Sequence, residues 1–259
     1  MTELLAGKTG LVVGVANKRS IAWAIAQRLD GAGARLALSF QNERVEREVR
    51  PLAESLSRPG PVVPLDVQDD AGMDAAVEEA AGALGGIDIL IHAVAYAPAE
   101  DLAGRFADTS REGFLTAMDV SAYSLVALAR RAEPHMRARG GGSIITLTYL
   151  GGQRAVPGYN VMGAAKAALE SSVRYLAWDL GDAGIRVNAI SAGPVRTRAA
   201  RGIPGFGTMV ERASERSALR REISAEEVAD AALFLASPLS ASVTAEVIFV
   251  DAGYHAMGL

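Results

Sequence analysis

Short apolar runs and amphipathic stretches alternate along the whole chain. Apolar runs of strand length predict buried β-strands at 9–15, 34–40, 61–67, 87–94, 143–148, 185–191 and 247–250. Apolar residues at helical spacing predict α-helices between them, among them 20–29, 43–56, 71–84, 111–137, 159–181 and 225–236. This alternation predicts a Rossmann-type, doubly wound parallel α/β sheet of about seven strands, with helices on both faces. No linker interrupts it, so we expect a single domain over residues 1–259.

Composition narrows the class of protein further. The chain has 259 residues, half of them hydrophobic, which is typical of one compact α/β domain. It contains no cysteine, and its three histidines lack ligand spacing, so neither a disulfide nor a metal site is expected. The formal charge of −4 argues against non-specific nucleic-acid binding. The sequence shows neither a membrane-spanning apolar run nor a signal-peptide pattern, and we expect a cytoplasmic protein.

The end of the first predicted strand is a candidate nucleotide site. Ligands of doubly wound sheets bind at the carboxyl ends of the strands. Gly14 lies at this strand end, and Ser20 and Ile21 open the following helix, whose free N–H groups suit a pyrophosphate. The loop GVANKRSI has one glycine where the G-x-G-x-x-G fingerprint has three. By itself it therefore fits a plain βα turn as well as a dinucleotide site.

The ends of the second and third strands bear on the choice of cofactor. An acidic residue after the second strand usually binds a free ribose 2′-OH, and an arginine usually binds a 2′-phosphate. Gln41 is neither, and the absence of a basic pair favours NADH over NADPH. Asp66 and Val67 end the third strand. The Asp66 carboxylate either accepts a hydrogen bond from adenine or caps the next turn, and the two roles are compatible.

Tyr159 and Lys166 form the candidate chemical site. They are seven residues apart at the start of a predicted helix, so both side chains leave one face, about 10 Å apart along the axis. A phenol and an ammonium on one face, just after a strand, indicate a site that handles protons.

These residues and their spacing resemble the short-chain dehydrogenase/reductase superfamily. The Tyr-x6-Lys pair and the motif NAISAGP at 188–194 carry the resemblance. Ordinary members have a T-G-x3-G-x-G loop and an N-N-A-G motif, where this chain has VGVANKRS and HAVA. Those departures are similar to one branch, the bacterial type I enoyl-(acyl-carrier-protein) reductases. The matching segments are 14–26, 39–44, 110–114, 146–151, 159–170 and 186–197.

The resemblance implies an NADH-dependent reductase of trans-2-enoyl thioesters on acyl carrier protein, acting in the last step of a fatty-acid elongation cycle. It implies that Tyr159 donates a hydrogen bond to the thioester oxygen and that Lys166 binds the nicotinamide ribose and favours phenolate character in the tyrosine. Tyr149 supplies an aromatic hydroxyl ten residues before Tyr159. Its role stays open between proton delivery, substrate orientation and closure of the pocket.

The resemblance also implies the remaining site residues and the assembly. The dinucleotide would contact Gly14, Ser20, Ile21, Gln41, Asp66, Val67, Val94, Lys166, Val195, Arg196, Thr197, Arg198 and Ala199. The acyl group would contact Ala97, Tyr149, Tyr159, Met162, Ile203 and Phe206. A lid near 194–221 would cover the site, and relatives form homotetramers. Arginines cluster in and after this lid, so we hypothesise that it docks the acidic carrier protein; a solvated helix face with internal ion pairs is the alternative.

Two alternatives remain at this point. An ordinary short-chain carbonyl reductase shares the Tyr159 and Lys166 pair and uses a hydroxyl thirteen residues before the tyrosine, where Thr146 stands. A non-catalytic dinucleotide sensor on the same fold is the second alternative, and the intact pair counts against it.

Overall fold

The computed structural model describes residues 3–197 and 205–258. Its seven parallel strands are β1 (Thr9–Val13), β2 (Arg35–Phe40), β3 (Pro59–Pro64), β4 (Ile89–His92), β5 (Gly142–Thr148), β6 (Ile185–Ala192) and β7 (Val247–Val250). They form one sheet in the order β3-β2-β1-β4-β5-β6-β7. The order reverses direction between β1 and β4, which places a crevice at their carboxyl ends. The predicted seven-stranded doubly wound sheet is confirmed.

The α-helices of the described residues lie between the strands. They are α1 (Ile21–Gly31), α2 (Glu43–Glu54), α3 (Asp70–Leu84), α4 (Ala99–Leu102), α5 (Arg111–Met118), α6 (Ser124–Ala138), α7 (Asn160–Leu180), α8 (Phe206–Arg216) and α9 (Ala225–Ala236). Among these residues no helix is long and apolar enough to cross a membrane.

The strands are apolar on both faces, and each face packs a separate layer of helices. Successive side chains of a strand point to opposite faces. Leu11 and Val13 accordingly pack with α3, α6 and α7, whereas Val12 packs with α1, α2 and α9. Two apolar layers of this kind hold the strand ends rigidly, so the loops that follow them are well-fixed positions for functional side chains.

Four of the described helices, α1, α2, α5 and α9, begin where a polar side chain accepts from one of their first N–H groups. Ser20 caps α1 by accepting from the Trp23 N–H. Ser224 and Glu227 form the predicted capping box at the start of α9, each side chain accepting from the other's backbone. The first of these caps fixes the helix end that faces the candidate nucleotide site.

Among the predicted elements, two strands and the central helix differ from the structure in their bounds or continuity. The first strand ends at Val13 because Gly14 turns to a φ of +108°. The third strand occupies Pro59–Pro64, where prolines are tolerated because β3 is an edge strand. The predicted helix 111–137 is interrupted by a π-helical turn, Asp119–Tyr123, between α5 and α6.

Candidate active site

Two tyrosines meet at the carboxyl end of the sheet. Tyr149 follows β5 directly, and Tyr159 lies immediately before α7. Their ring centroids are 4.7 Å apart with the planes at 63°, an edge-to-face contact. Both side chains are buried. The structure therefore brings the two candidate hydroxyl groups to one small region.

Tyr159 is the residue that caps α7 and is not part of the helix, which corrects the predicted start at 159. Its φ of −101° and ψ of −27° precede a φ of +39° at Asn160. The Asn160 amide donates to three successive carbonyls, those of Leu102, Ala103 and Gly104, at 3.1, 3.4 and 3.2 Å. This side chain fixes the turn that presents Tyr159 and ties it to the end of α4.

Burial keeps both tyrosines protonated. It raises the pKa of Tyr159, and the nearby Tyr149 and Glu170 raise it further. Burial also raises the pKa of Tyr149, with smaller effects of Tyr254 and Asp251 in the same direction. Lys166 was expected to favour phenolate character, but burial acts in the opposite direction. Each tyrosine is thus a neutral hydrogen-bond donor.

Lys166 is buried on α7, about two turns after Tyr159. Its Nζ donates to the carbonyl oxygen of Leu147, at the end of β5, at 2.7 Å. Burial lowers its pKa to about 8, and the charge of Glu170 opposes that effect. An ammonium has three N–H donors, so the bond to Leu147 leaves others for a ligand.

Thr146 does not face the site. Its hydroxyl is fully buried between strands, 2.8 Å from Nδ1 of His92, and it donates to the His92 carbonyl at 3.2 Å. The hydroxyl that a carbonyl reductase would use at this position is therefore buried and hydrogen-bonded within the core. Burial lowers the pKa of His92 to about 3, which leaves the imidazole neutral beside Lys166.

An apolar cluster surrounds the two tyrosines and forms the candidate acyl site. Ala97 and Met162, two of the residues predicted to contact the acyl group, belong to it, and Phe206 lies half-buried at the start of α8. Tyr149 donates its hydroxyl to the Met209 sulfur at 3.4 Å. The other members of the cluster, which the sequence did not predict, are Leu102, Ala117, Met118, Leu150, Val156, Val161, Ala165, Met209, Phe249 and Tyr254, of which Ala117, Val161 and Ala165 are fully buried. Apolar side chains in these segments carry no sequence signal that distinguishes a wall from a core.

The π-helical turn shapes the loop beside this cluster. Ser121, on the turn, accepts from the Tyr96 N–H at 2.9 Å and donates to the Tyr96 carbonyl at 3.0 Å. Ser121 thereby fixes the backbone between Ala95 and Ala97.

A cavity of about 350 Å³ lies at the switch point of the sheet. Its walls include the predicted cofactor residues Gly14, Gln41, Asp66, Val67 and Val94. A Cβ on Gly14 would lie 2.2 Å from the carbonyl oxygen of Ala93, so only glycine lets the two backbones approach here. The close approach and the adjacent α1 N-terminus suit a dinucleotide. A wider cavity of about 760 Å³ between α1 and α9 is far from the tyrosines, and we do not assign the site to it.

Of the two roles that the sequence left open for Asp66, the structure shows the cap of the next turn, and the contact with adenine stays a prediction. Its Oδ1 accepts from the Gln68 N–H at 3.1 Å, which caps the turn, and its Oδ2 accepts from Gln41 Nε2 at 3.3 Å. The carboxylate lines the cavity at the same time. Gln41 itself is exposed at the end of β2, with no basic group beside it on that strand.

Three of the residues predicted to border the pyrophosphate, Ser20, Val195 and Arg196, line a separate cavity of about 290 Å³. Ile21 is half-buried beside it. The Ser20 hydroxyl donates to the Asn17 carbonyl and accepts from the Trp23 N–H, so its hydrogen is already used at the start of α1. Thr197 N–H donates to Val195 O at 2.7 Å. Three further predicted site residues, Arg198, Ala199 and Ile203, lie outside the described residues.

A doubly wound sheet with a buried Tyr and Lys pair and a crevice at its switch point is typical of a short-chain dehydrogenase/reductase. Residues 14–255 match the model of the enoyl-(acyl carrier protein) reductase family, and the chain belongs to that family. The family predicted from the sequence, and with it an oxidoreductase, is confirmed.

Individual relatives are similar to this chain over nearly its full length. The enoyl-(acyl-carrier-protein) reductase (NADH) of Bacillus cereus is 52% identical over 257 residues, covering 99% of this chain and all of the relative. The enzyme of Staphylococcus aureus, named as NADPH-dependent, is 48% identical and covers 98% of both. A Bacillus cereus crystal structure with NADP+ and indole naphthyridinone superposes with a TM-score of 0.96 at 53% identity, covering 99% and 100% of the two chains. A structure from Anaplasma phagocytophilum with NAD gives 0.95 at 46% identity, covering 100% and 98%.

Proposed function

We propose that this chain reduces the C2=C3 double bond of trans-2-enoyl thioesters on acyl carrier protein, with NADH as the reductant. Family membership supports the reaction, and most of the similar relatives are named as NADH enzymes. The observation that carries the substrate assignment is the buried pair of Tyr149 and Tyr159, together with a Thr146 hydroxyl that is turned into the core.

The cofactor, when bound, supplies a hydride to the β-carbon of the enoyl group. We propose that Gly14, Gln41, Asp66, Val67 and Val94 hold its adenosine half, and that Ser20, Ile21, Val195, Arg196, Thr197, Arg198 and Ala199 border its pyrophosphate and nicotinamide. The first of these groups shares one cavity. Ser20, Val195 and Arg196 line a second one.

Tyr159 is the proposed donor to the thioester oxygen. Negative charge gathers on that oxygen during the reaction, so a fixed donor stabilises the transition state more than the ground state. A protonated, buried phenol meets this need, because it donates without first having to gain a proton. The apolar wall excludes water, which strengthens the hydrogen bond.

Lys166 and Tyr149 act beside this donor. Lys166, held by the Leu147 carbonyl, directs its remaining N–H groups toward the nicotinamide ribose. Tyr149 packs its ring against Tyr159 and its hydroxyl against Met209, so we assign it the orientation of the substrate and of the catalytic ring. Ala97, Met162, Ile203 and Phe206 complete the proposed acyl site.

The reaction is tested by following NADH oxidation with crotonyl and acetoacetyl thioesters, and then with NADPH in place of NADH. We expect turnover of the crotonyl compound and preference for NADH. Turnover of the acetoacetyl compound alone would identify a carbonyl reductase. Tight NADH binding without turnover of either compound would identify a dinucleotide sensor.

Segment 194–221 is the proposed lid and the proposed docking surface for the carrier protein. Two of its arginines form ion pairs instead, Arg196 with Glu222 at 2.8 Å and Arg221 with Glu227 at 2.6 Å. The docking proposal therefore rests on the exposed Arg212, Arg216 and Arg220. Arg201 and Arg198 lie outside the described residues.

Charge reversal tests this docking surface. The substitutions R216E and R220E should raise KM for the carrier-bound substrate and leave KM for the coenzyme A thioester unchanged, because only the carrier protein is strongly acidic. Equal effects on both substrates would reject the surface.

We further propose a homotetramer in which α7 is one interface. Tyr175 and Trp178 are one turn apart on this helix and are 72% and 85% exposed. Large aromatic side chains that share one exposed face support an interface. W178E should lower the mass measured by light scattering, and a monomeric wild-type protein would reject the proposal.

The cytoplasmic location stays a prediction.

A further inference from the structure

The proposed mechanism gives no role to the buried carboxylate that lies closest in sequence to Lys166 on α7. Glu170 follows Lys166 by one turn of α7, and each residue is only 5% exposed. A charged group is rarely buried unless other groups satisfy its charge and its hydrogen bonds. The contacts of Glu170 therefore bear on why this carboxylate lies beside the site.

Both oxygens of Glu170 hold the segment that carries Tyr149. Oε1 accepts from the Thr148 hydroxyl at 2.7 Å, and Oε2 accepts from Gln153 Nε2 at 3.0 Å. Thr148 and Gln153 flank the short turn at 149–152. One side chain of α7 thus fixes both ends of the turn after β5, and with it the position of the Tyr149 ring.

The same carboxylate acts through space on Lys166. Burial lowers the pKa of Lys166 to about 8, and the Glu170 charge is the cause that opposes it. The lysine ammonium itself donates to the Leu147 carbonyl. Burial alone would leave a large fraction of this lysine neutral at mildly alkaline pH, and a neutral amine binds ribose hydroxyls less strongly.

The other titratable groups around Lys166 do not replace this charge. On β4, His92 stays neutral, because burial and the lysine charge lower its pKa to about 3. At the start of α7 and the end of β5, burial raises the pKa of Tyr159 and of Tyr149, so both phenols are uncharged. On the π-helical turn, the Asp119 carboxylate accepts a hydrogen bond from Gln68 at 3.0 Å and lies toward α3.

We propose that Glu170 is a positioning residue for this reaction: its charge keeps Lys166 protonated, and its two oxygens hold the turn that carries Tyr149. The proposal rests on the roles proposed above for Lys166 and Tyr149. It separates two effects of one side chain, a charge effect on dinucleotide binding and a geometric effect on the acyl side. Substitutions can remove them independently.

The charge effect is tested with E170Q, which keeps the shape of the side chain and one acceptor for Thr148. NADH affinity is measured by calorimetry, without turnover, from about pH 6 to about pH 10, a range that brackets lysine titration in this site. In the wild type, affinity should fall as the pH rises through the pKa of Lys166. In E170Q that fall should occur about one pH unit lower, which is a typical effect of losing a nearby opposite charge.

Two control variants remove hydrogen bonds and keep the carboxylate. T148V and Q153L should leave the pH dependence of NADH affinity unchanged and should lower kcat for the enoyl substrate, because the Tyr149 turn is loosened. E170D retains the charge and should restore the wild-type pH dependence. E170M, which is apolar and similar in size, provides a second uncharged variant if E170Q does not fold.

An identical pH dependence in the wild type and in a folded E170Q or E170M protein would overturn the proposal. A shift of the same size in T148V would also overturn it, since that variant keeps the charge. Because the affinity measurement needs no substrate, it remains readable if no enoyl thioester is reduced. That failure would reject the proposed function alone.

Discussion

The ring of Tyr149 meets the ring of Tyr159 edge to face, with 4.7 Å between centroids, although Tyr159 follows Tyr149 by ten residues in sequence. One apolar cluster encloses both rings. The two hydroxyl groups are therefore presented as a pair, and their contributions can be separated by removing one hydroxyl at a time.

We expect Y159F to lower kcat for crotonyl thioester by about 10²- to 10³-fold, the usual effect of removing one donor to a developing oxyanion. NADH affinity should change little, because the ring and its packing remain. Steady-state kinetics and calorimetry check the two halves of this prediction. A rise in KM with an unchanged kcat would show that Tyr159 contributes only ground-state binding.

We expect Y149F to lower kcat/KM by about tenfold, less than Y159F, because this hydroxyl contacts Met209 and is assigned an orienting role. Y123F is the matched control, since Tyr123 is 47% exposed on the π-helical turn. It should behave as the wild type. If Y149F were as damaging as Y159F, Tyr149 would have to be counted as a proton donor.

The alternation of the sheet and helices could be predicted because its cause is local. Apolar runs of 4 to 8 residues and helical spacing report burial directly. The strand end at Val13 and the π-helical turn could not be predicted in this way, because each depends on a partner far along the chain. Gly14 turns where Ala93 approaches, and Ser121 leaves regular helix to bond Tyr96.

The features of the candidate site also divide into those that could be predicted from local sequence and those that depend on distant partners. The Tyr159 and Lys166 pair is visible from its spacing, since Tyr159 caps the helix that carries Lys166. The orientation of Thr146 into the core depends on its bond to His92, a residue of the neighbouring strand. The effect of Glu170 on Lys166 depends on how deeply α7 is buried, and that property belongs to the assembled fold.

Substitution of Asn160 should separate backbone conformation from side-chain bonding. N160A loses three hydrogen bonds and must still adopt a φ of +39°, and we expect a loss of ~2 kcal/mol in the free energy of unfolding. N160G loses the same bonds but adopts this φ easily, so its loss should be ~1 kcal/mol. Urea unfolding measures both, and equal losses would exclude a contribution of backbone conformation.

We expect G14A to weaken NADH binding at least ~10-fold, because its Cβ would overlap the Ala93 carbonyl and separate the loops after β1 and β4. Calorimetric titration provides the affinity. G82A is the control, since Gly82 lies within α3 and its Cβ would meet nothing within 4 Å. That variant should bind NADH normally and gain up to ~1 kcal/mol in stability.

The choice between NADH and NADPH should depend on the end of β2. Q41R places a guanidinium where a 2′-phosphate is bound in related folds, so we expect kcat/KM for NADPH to rise about tenfold relative to NADH. The gain is limited because Asp66, 3.3 Å from the present Gln41 amide, would compete for the new charge.

Two further variants make this last test specific. Q41M keeps the length of the side chain without charge and should leave the cofactor preference unchanged. N42K adds a charge at the next position but removes the cap that accepts from Val45 N–H at 3.1 Å, so it should cost ~1 kcal/mol of stability. If Q41R remains folded but does not improve the use of NADPH, other residues recognise the 2′ group of the cofactor ribose. The preference for NADH then does not arise at this strand end.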